Sequence, residues 1–252
     1  MFDHMLERGI VIHLVFYLDD CREVSGAITP EQEELWFRYT VARFGAYPNL
    51  IWNLAEEFEE AFTIDWCESR AGWLKKYDPF PNPVTVHQLT ADIFRPAGSP
   101  NFDLTAIQYN ANADSLNRMV NKVRRQTAGA GRPIPVLVTE WTPIAPEDTV
   151  RCRMGIWAIT LGGGVYQIFN NKRGETVTLD FSRWEEHWRY ARILKGIMES
   201  LPFNRMGPVN NLVSSGYCLA EPGGPYLVYQ PEPGSFTIDL TRVEGSFYAY
   251  RI

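Results

Sequence analysis

Leu50-Ile51-Trp52-Asn53-Leu54 is a short apolar run, followed by an acidic loop, Glu56 to Glu60, and then by Ile64–Tyr77, which reads as a helix. The same order of apolar run, polar loop and helical stretch recurs outward from it in both directions. Upstream, Ile10–Leu18 leads to a helix that opens at Thr29-Pro30-Glu31-Gln32. Thr29 suits the N-cap, Pro30 the first helical position, Gln32 completes a capping box, and Gly45 is a natural stop. Downstream, the runs Val84–Leu89, Leu104–Tyr109, Ile134–Val138 and Val165–Phe169 alternate with helical segments around Asp114–Gln126, Asp148–Leu161 and Ser182–Ser200. Apolar runs this short, bounded by Gly, Pro or Asn, are typical of buried parallel strands. Alternation with helices implies right-handed crossovers, which a closed barrel or an open doubly wound sheet would both satisfy. No Gly-rich loop follows the first strand, and Gly162-Gly163-Gly164 precedes a strand instead of linking strand to helix, so it is no phosphate loop. The fold class is therefore read as α/β, with a (β/α)8 TIM barrel preferred over the open sheet.

After Leu201-Pro202 the texture changes. Residues 204–252 are rich in Gly and Pro, and the runs Tyr217–Ala220, Tyr226–Tyr229, Ser235–Leu240 and Ser246–Arg251 alternate like strands between turn signals. The expected division is a barrel over residues 1–202 and a small antiparallel β domain over 203–252. A net charge of −6 at pH 7 disfavours nucleic acid, which needs clustered Lys and Arg. No apolar stretch approaches the ~20 residues of a membrane span, and Met1–Gly9 is charged and helix-like, without the apolar core of a secretory signal. The four cysteines, Cys21, Cys67, Cys152 and Cys218, are scattered and read as separate, mostly buried thiols.

Two carboxylates fall at the C-terminal ends of expected strands: one in Trp52-Asn53-Leu54-Ala55-Glu56-Glu57, the other in Val136-Leu137-Val138-Thr139-Glu140-Trp141. In a parallel barrel the active site forms at that end of the strands. Cleavage of a glycosidic bond needs one carboxylic acid to protonate the leaving oxygen and a second carboxylate on the opposite face of the sugar. A Glu at a strand end is also commonly solvated or a helix cap, and Glu56-Glu57 opens an acidic run with Glu59 and Glu60. His4, His13, His87 and His187 show no metal-ligand spacing, so no metal or organic cofactor is expected.

The stretch from Tyr47-Pro48-Asn49 through Leu50-Ile51-Trp52-Asn53-Leu54-Ala55-Glu56-Glu57 resembles the fourth-strand signature of clan A glycoside hydrolases, in particular the apiosidase-like group. Residues 39–46 resemble that group's third helix, and Lys76-Tyr77-Asp78-Pro79-Phe80 through His87 its passage into the fifth strand. Pro135 to Trp141 resembles the seventh strand, residues 148–169 the seventh helix and eighth strand, and Tyr226–Tyr229 with Phe236–Leu240 the collagen-binding-like β module that follows the barrel. The resemblance implies Glu57 as acid/base, with a raised pKa, and Glu140 as nucleophile. It implies substrate contacts from Glu56, His87, Gln108, Tyr109, Trp141 and Tyr166. Glu56 departs from the pattern, standing where clan members more often carry Asn, and Ala55 replaces a common Gly.

The function implied is retaining hydrolysis of an O-glycosidic bond in an oligosaccharide or polysaccharide. The alternative is a barrel that binds carbohydrate without turnover. Members of the group are commonly secreted or periplasmic. Six strands are visible where a closed barrel has eight, and the first resembles the family's third. The chain is therefore expected to lack the first two βα units, with its β module also cut short. Such an open barrel would leave strand edges at Ile10–Leu18 and Val165–Phe169.

Overall fold

The computed structural model describes residues 1–18, 27–89, 91–141, 145–168, 182–221 and 223–251. A short helix, α1 (Phe2–Glu7), ends at Gly9, whose φ of +66° supplies the left-handed turn expected of a helix stop. The chain then alternates: β1 (Ile12–Tyr17), α2 (Pro30–Phe44), β2 (Leu50–Ala55), α3 (Ile64–Tyr77), β3 (Val84–Thr85), β4 (His87–Gln88), β5 (Ala106–Tyr109), α4 (Ala113–Gly129), β6 (Val136–Trp141), α5 (Thr149–Leu161), β7 (Gly164–Tyr166) and α6 (Glu185–Glu199). The capping box is formed: Gln32 N–H donates to Thr29 Oγ1 at 3.3 Å, and Thr29 N–H to Gln32 Oε1 at 2.8 Å.

The strands are neighbours in chain order, β1-β2-β3 and β4-β5-β6-β7, and β1 with β2, β2 with β3, β4 with β5 and β5 with β6 all run parallel. Only the buried Val86 separates β3 from β4, so segment 84–88 joins the two sheets, with β2 on one side and β5 on the other. Sequential order, with helices between most of the strands, is consistent with part of a (β/α) barrel; a doubly wound sheet reverses its strand order at a switch point. The six expected barrel strands are thus present. Phe169 and Cys21 lie outside the described residues.

The chain divides into two compact units. The first comprises Met1–Ala111, Lys122–Thr142 and Val165–Phe169; the second comprises Asn112–Asn121, Pro143–Gly164 and Asn170–Ile252. In the first, register sorts the strand faces. Leu14, Trp52 and Val84 share a row turned to the helices, while Val15, Asn53 and Thr85 share a row on the other face. On the helix side Phe16 lies flat on Phe37, with centroids 4.2 Å apart. Trp52 is fully buried and donates its indole N–H to Asp78 Oδ2 at 2.7 Å. Asp78 also accepts the Phe80 N–H and the Asn82 amide, and Asn82 reaches back to the Gly45 carbonyl at 2.6 Å. Loss of a buried Trp side chain costs about 3–5 kcal/mol, and here it would also remove one of the three donors to the Asp78 carboxylate.

The second unit has its own core, in which Ala158, Leu161, Met206, Tyr217, Leu219 and Leu227 pack together, with Trp157 stacked on Tyr229 at 4.7 Å. Its antiparallel sheet has the order β10-β9-β8, formed by β8 (Gly207–Pro208), β9 (Tyr217–Ala220) and β10 (Tyr226–Tyr229). The expectation for this region needs two corrections. Gly207–Pro208 is an unforeseen strand, and Ser235–Leu240 and Ser246–Arg251 are not strands; Ile238 makes a single antiparallel bridge to Val213. Both runs are largely exposed, so their alternation has no apolar face to bury and nothing fixes a register. Cys67, Cys152 and Cys218 are buried free thiols, as expected, and burial pushes the last two up to about 12 and about 11, which makes them poor nucleophiles.

Candidate active site

Every candidate residue named from sequence falls in the first unit, at or just beyond the C-terminal ends of β2, β4, β5, β6 and β7. One carboxylate oxygen of Glu56, one ring nitrogen of His87 and one carboxylate oxygen of Glu140 all lie within 4.8 Å of one another. Glu140, on β6, stands in register with Gln108 on β5, and the register shifts between Ile107 and Gln108. Bulges of this kind re-aim side chains and are frequent beside active sites. Gln108 is buried, whereas Glu56, Glu140, Tyr109 and Tyr166 are partly exposed.

Glu57 is not a member of the Glu56–His87–Glu140 group. Period-two alternation from Asn53 would carry its face to Ala55 and Glu57, the residue to which the family resemblance gives the acid/base role. However, β2 ends at Ala55, and the Glu56 amide donates to the Tyr17 carbonyl at 2.9 Å. Glu57 then turns into the left-handed region at φ +41°, ψ +51°, alone in this among described non-glycine residues. Beyond Ala55, alternation no longer assigns faces. Such a backbone costs about 1–3 kcal/mol and persists where the surroundings impose it, which is common at functional sites.

His87 is 4% exposed, and its backbone N–H donates to Asn53 Oδ1 at 3.0 Å. The buried Asn53 carboxamide therefore fixes the segment carrying the imidazole. Burial, and secondarily the ring of His13, lower the His87 pKa to about 4, so it is neutral at pH 7. The Nε2 atoms of both His13 and His87 are buried without a hydrogen-bond partner. Glu59, in the same acidic run, plays a structural part, accepting the Leu89 N–H at 2.9 Å and facing Arg95 at 3.5 Å. Trp141 is 1% exposed and donates its indole N–H to the Gln167 carbonyl at 2.7 Å. Its ring is therefore enclosed in this structure.

Sequence reasoning missed Asn53, Glu59 and the mixed group itself. Asn53 carried a signal, a lone amide within an otherwise apolar strand. The spacing of histidines alone could not reveal a group made of one His and two Glu from three strand ends. Chemically, paired carboxylates beside a neutral imidazole can hold and pass a proton. The same donors also suit a divalent cation.

No family model matches the sequence, and no curated protein matches it. Among solved structures, the chain is similar to a glycoside hydrolase family 5 protein from Bacteroides vulgatus ATCC 8482, with 16% identity and a TM-score of 0.71 over 96% of this chain and 63% of that one. It is also similar to a second solved glycoside hydrolase, with 15% identity and a TM-score of 0.66 over 87% of this chain and 60% of the other. The chain thus spans less than two thirds of either neighbour. Both likenesses establish the fold, an α/β arrangement consistent with part of a TIM barrel.

Proposed function

We propose that this chain carries the catalytic pair of a retaining glycoside hydrolase, with Glu140 as nucleophile and Glu56 as acid/base. The observation that carries the reading is the approach of the Glu56 and Glu140 oxygens to within 4.8 Å at the C-terminal ends of two parallel strands. Retaining glycosidases hold their carboxyl groups about 5–5.5 Å apart, whereas inverting ones leave about 6.5–9.5 Å for a water. Glu140 attacks the anomeric carbon and displaces the leaving oxygen, which takes its proton from Glu56. Glu56 then removes a proton from water as that water releases the sugar from Glu140, so the pair returns to its starting state. Like charges this close favour a pair that carries one proton. Neutral His87 adds no positive charge to disturb that sharing, and the register of Gln108 with Glu140 supports an orienting role for Gln108. The substrate class is an oligosaccharide or polysaccharide.

The family resemblance gives the acid/base role to Glu57, whereas the grouping with His87 and Glu140 supports giving it to Glu56. Kinetics on a panel of aryl glycosides separates them. Glu140→Gln and Glu56→Gln are each expected to lower kcat about 10²–10⁴-fold, while Glu57→Gln stays close to the parent chain. Collapse of Glu57→Gln with Glu56→Gln active returns the acid/base role to Glu57. Glycoside binding that none of the three changes, without hydrolysis by the parent, establishes the non-catalytic reading instead.

A further inference from the structure

A second recess lies within the first unit, beyond the end of β1. It encloses about 220 Å3 and is lined chiefly by Tyr17, Glu33, Phe62, Thr63, Trp66 and Arg70. Three of these residues make an aromatic wall: Phe62 stacks on Trp66 with centroids 3.9 Å apart, and Tyr17 meets them at 5.1 and 5.4 Å. The polar part is an ion pair shielded from solvent. Glu33 accepts the Tyr17 hydroxyl at 2.8 Å and is paired with the Arg70 guanidinium, which also lies over the rings of Trp66 and Trp73. One donor is left over: the Nε–H of Arg70 is buried and has no hydrogen-bond partner.

The chemistry of the wall selects the ligand. Glu33 and Arg70 neutralise each other, so an anion would meet the carboxylate and a cation the guanidinium. A neutral ring bearing hydroxyls can accept from Arg70 and donate to Glu33 while laying C–H groups against the aromatic rings. The volume falls below the ~300–1,000 Å3 of sites for drug-sized ligands, which suits a single ring. We infer that this recess is a second binding site for one neutral sugar residue. It stands at the same end of the sheet as the carboxylate pair, because the Tyr17 carbonyl holds the Glu56 amide. That the ring comes from a glycan rests on the glycosidase reading; the preference for a neutral ring rests on Glu33 and Arg70.

The test uses the full chain carrying Glu140→Gln, with the methyl glycosides of xylose, glucose, galactose and glucuronic acid as probes, followed by saturation-transfer NMR and titration of tryptophan fluorescence. At least one neutral glycoside is expected to bind, with the glucuronide about tenfold or more weaker. Trp66→Ala should weaken binding at least about tenfold. Ala61→Trp, which fills the recess from its lining without touching the ion pair, should do the same while the chain still unfolds cooperatively. Absence of binding by every neutral glycoside overturns the inference, as does binding unchanged in Ala61→Trp or a preference for the glucuronide. Trp66-dependent binding in a chain that hydrolyses nothing would remove the glycosidase reading and leave this site standing.

Discussion

His13 lies on β1 with its Nε2 buried and unpartnered, and burial alone lowers its pKa from 6.5 to about 4. Acidification from about pH 7 to about pH 5 probes this burial directly. Between the two pKa values the unfolded chain binds a proton that the folded chain refuses, so stability falls as the pH drops. The contribution is intact above pH 6.5, is lost progressively below it, and levels off once the pH passes the folded value of about 4. At 1.36 kcal/mol per pKa unit, linkage gives a loss of about 2 kcal/mol at about pH 5 relative to about pH 7. Urea unfolding of the parent chain and of His13→Leu, each at both pH values, isolates this from the titration of the carboxylates. The parent is expected to lose about 2 kcal/mol more than the variant on acidification. Equal losses in both proteins would show that His13 protonates as readily folded as unfolded, and its burial could not then be as described.

Exhaustive chelation with EDTA is expected to leave aryl-glycoside hydrolysis unchanged within about twofold; a larger loss restored by a divalent cation would make Glu56, His87 and Glu140 metal ligands. Gly216→Ala should lower stability by about 2 kcal/mol or more, read as a fall in the thermal midpoint. The residue sits at φ +78°, and an added Cβ would come 2.3 Å from the Tyr229 carbonyl oxygen, so an unchanged midpoint would contradict the placement of β9 against β10.

The fold was legible where local signals agree. Thr29, Pro30, Gln32 and Gly45 delimit α2 because caps act through adjacent backbone groups, and the buried parallel strands show as short apolar runs. Legibility failed where tertiary partners decide. Ser235–Leu240 alternates as β9 does, but only β9 has apolar neighbours on which to bury its residues. The site was half legible. Glu140 stands within β6, so its face follows from the strand. Glu56 and Glu57 stand past the end of β2, where a left-handed residue breaks the strand alternation, so periodicity could not choose between them and only the resemblance pointed to Glu57. Trp141 shows the same limit: an aromatic beside the candidate Glu140 invites a stacking role, and only the fold reveals that it is enclosed.

The proposed mechanism stands or falls on a covalent bond between Glu140 and the sugar. An activated 2-deoxy-2-fluoro glycoside of whichever sugar the chain hydrolyses slows the second step and traps that intermediate, and peptide mass spectrometry then locates it. A single fluoroglycosyl ester on Glu140 is expected, formed at full rate in Glu57→Gln; in Glu56→Gln it still forms, because the activated leaving group needs little protonation, but it is hydrolysed more slowly for want of the base that activates water. An adduct on Glu56 or Glu57, or hydrolysis of the parent sugar with inversion at the anomeric carbon, would contradict the mechanism.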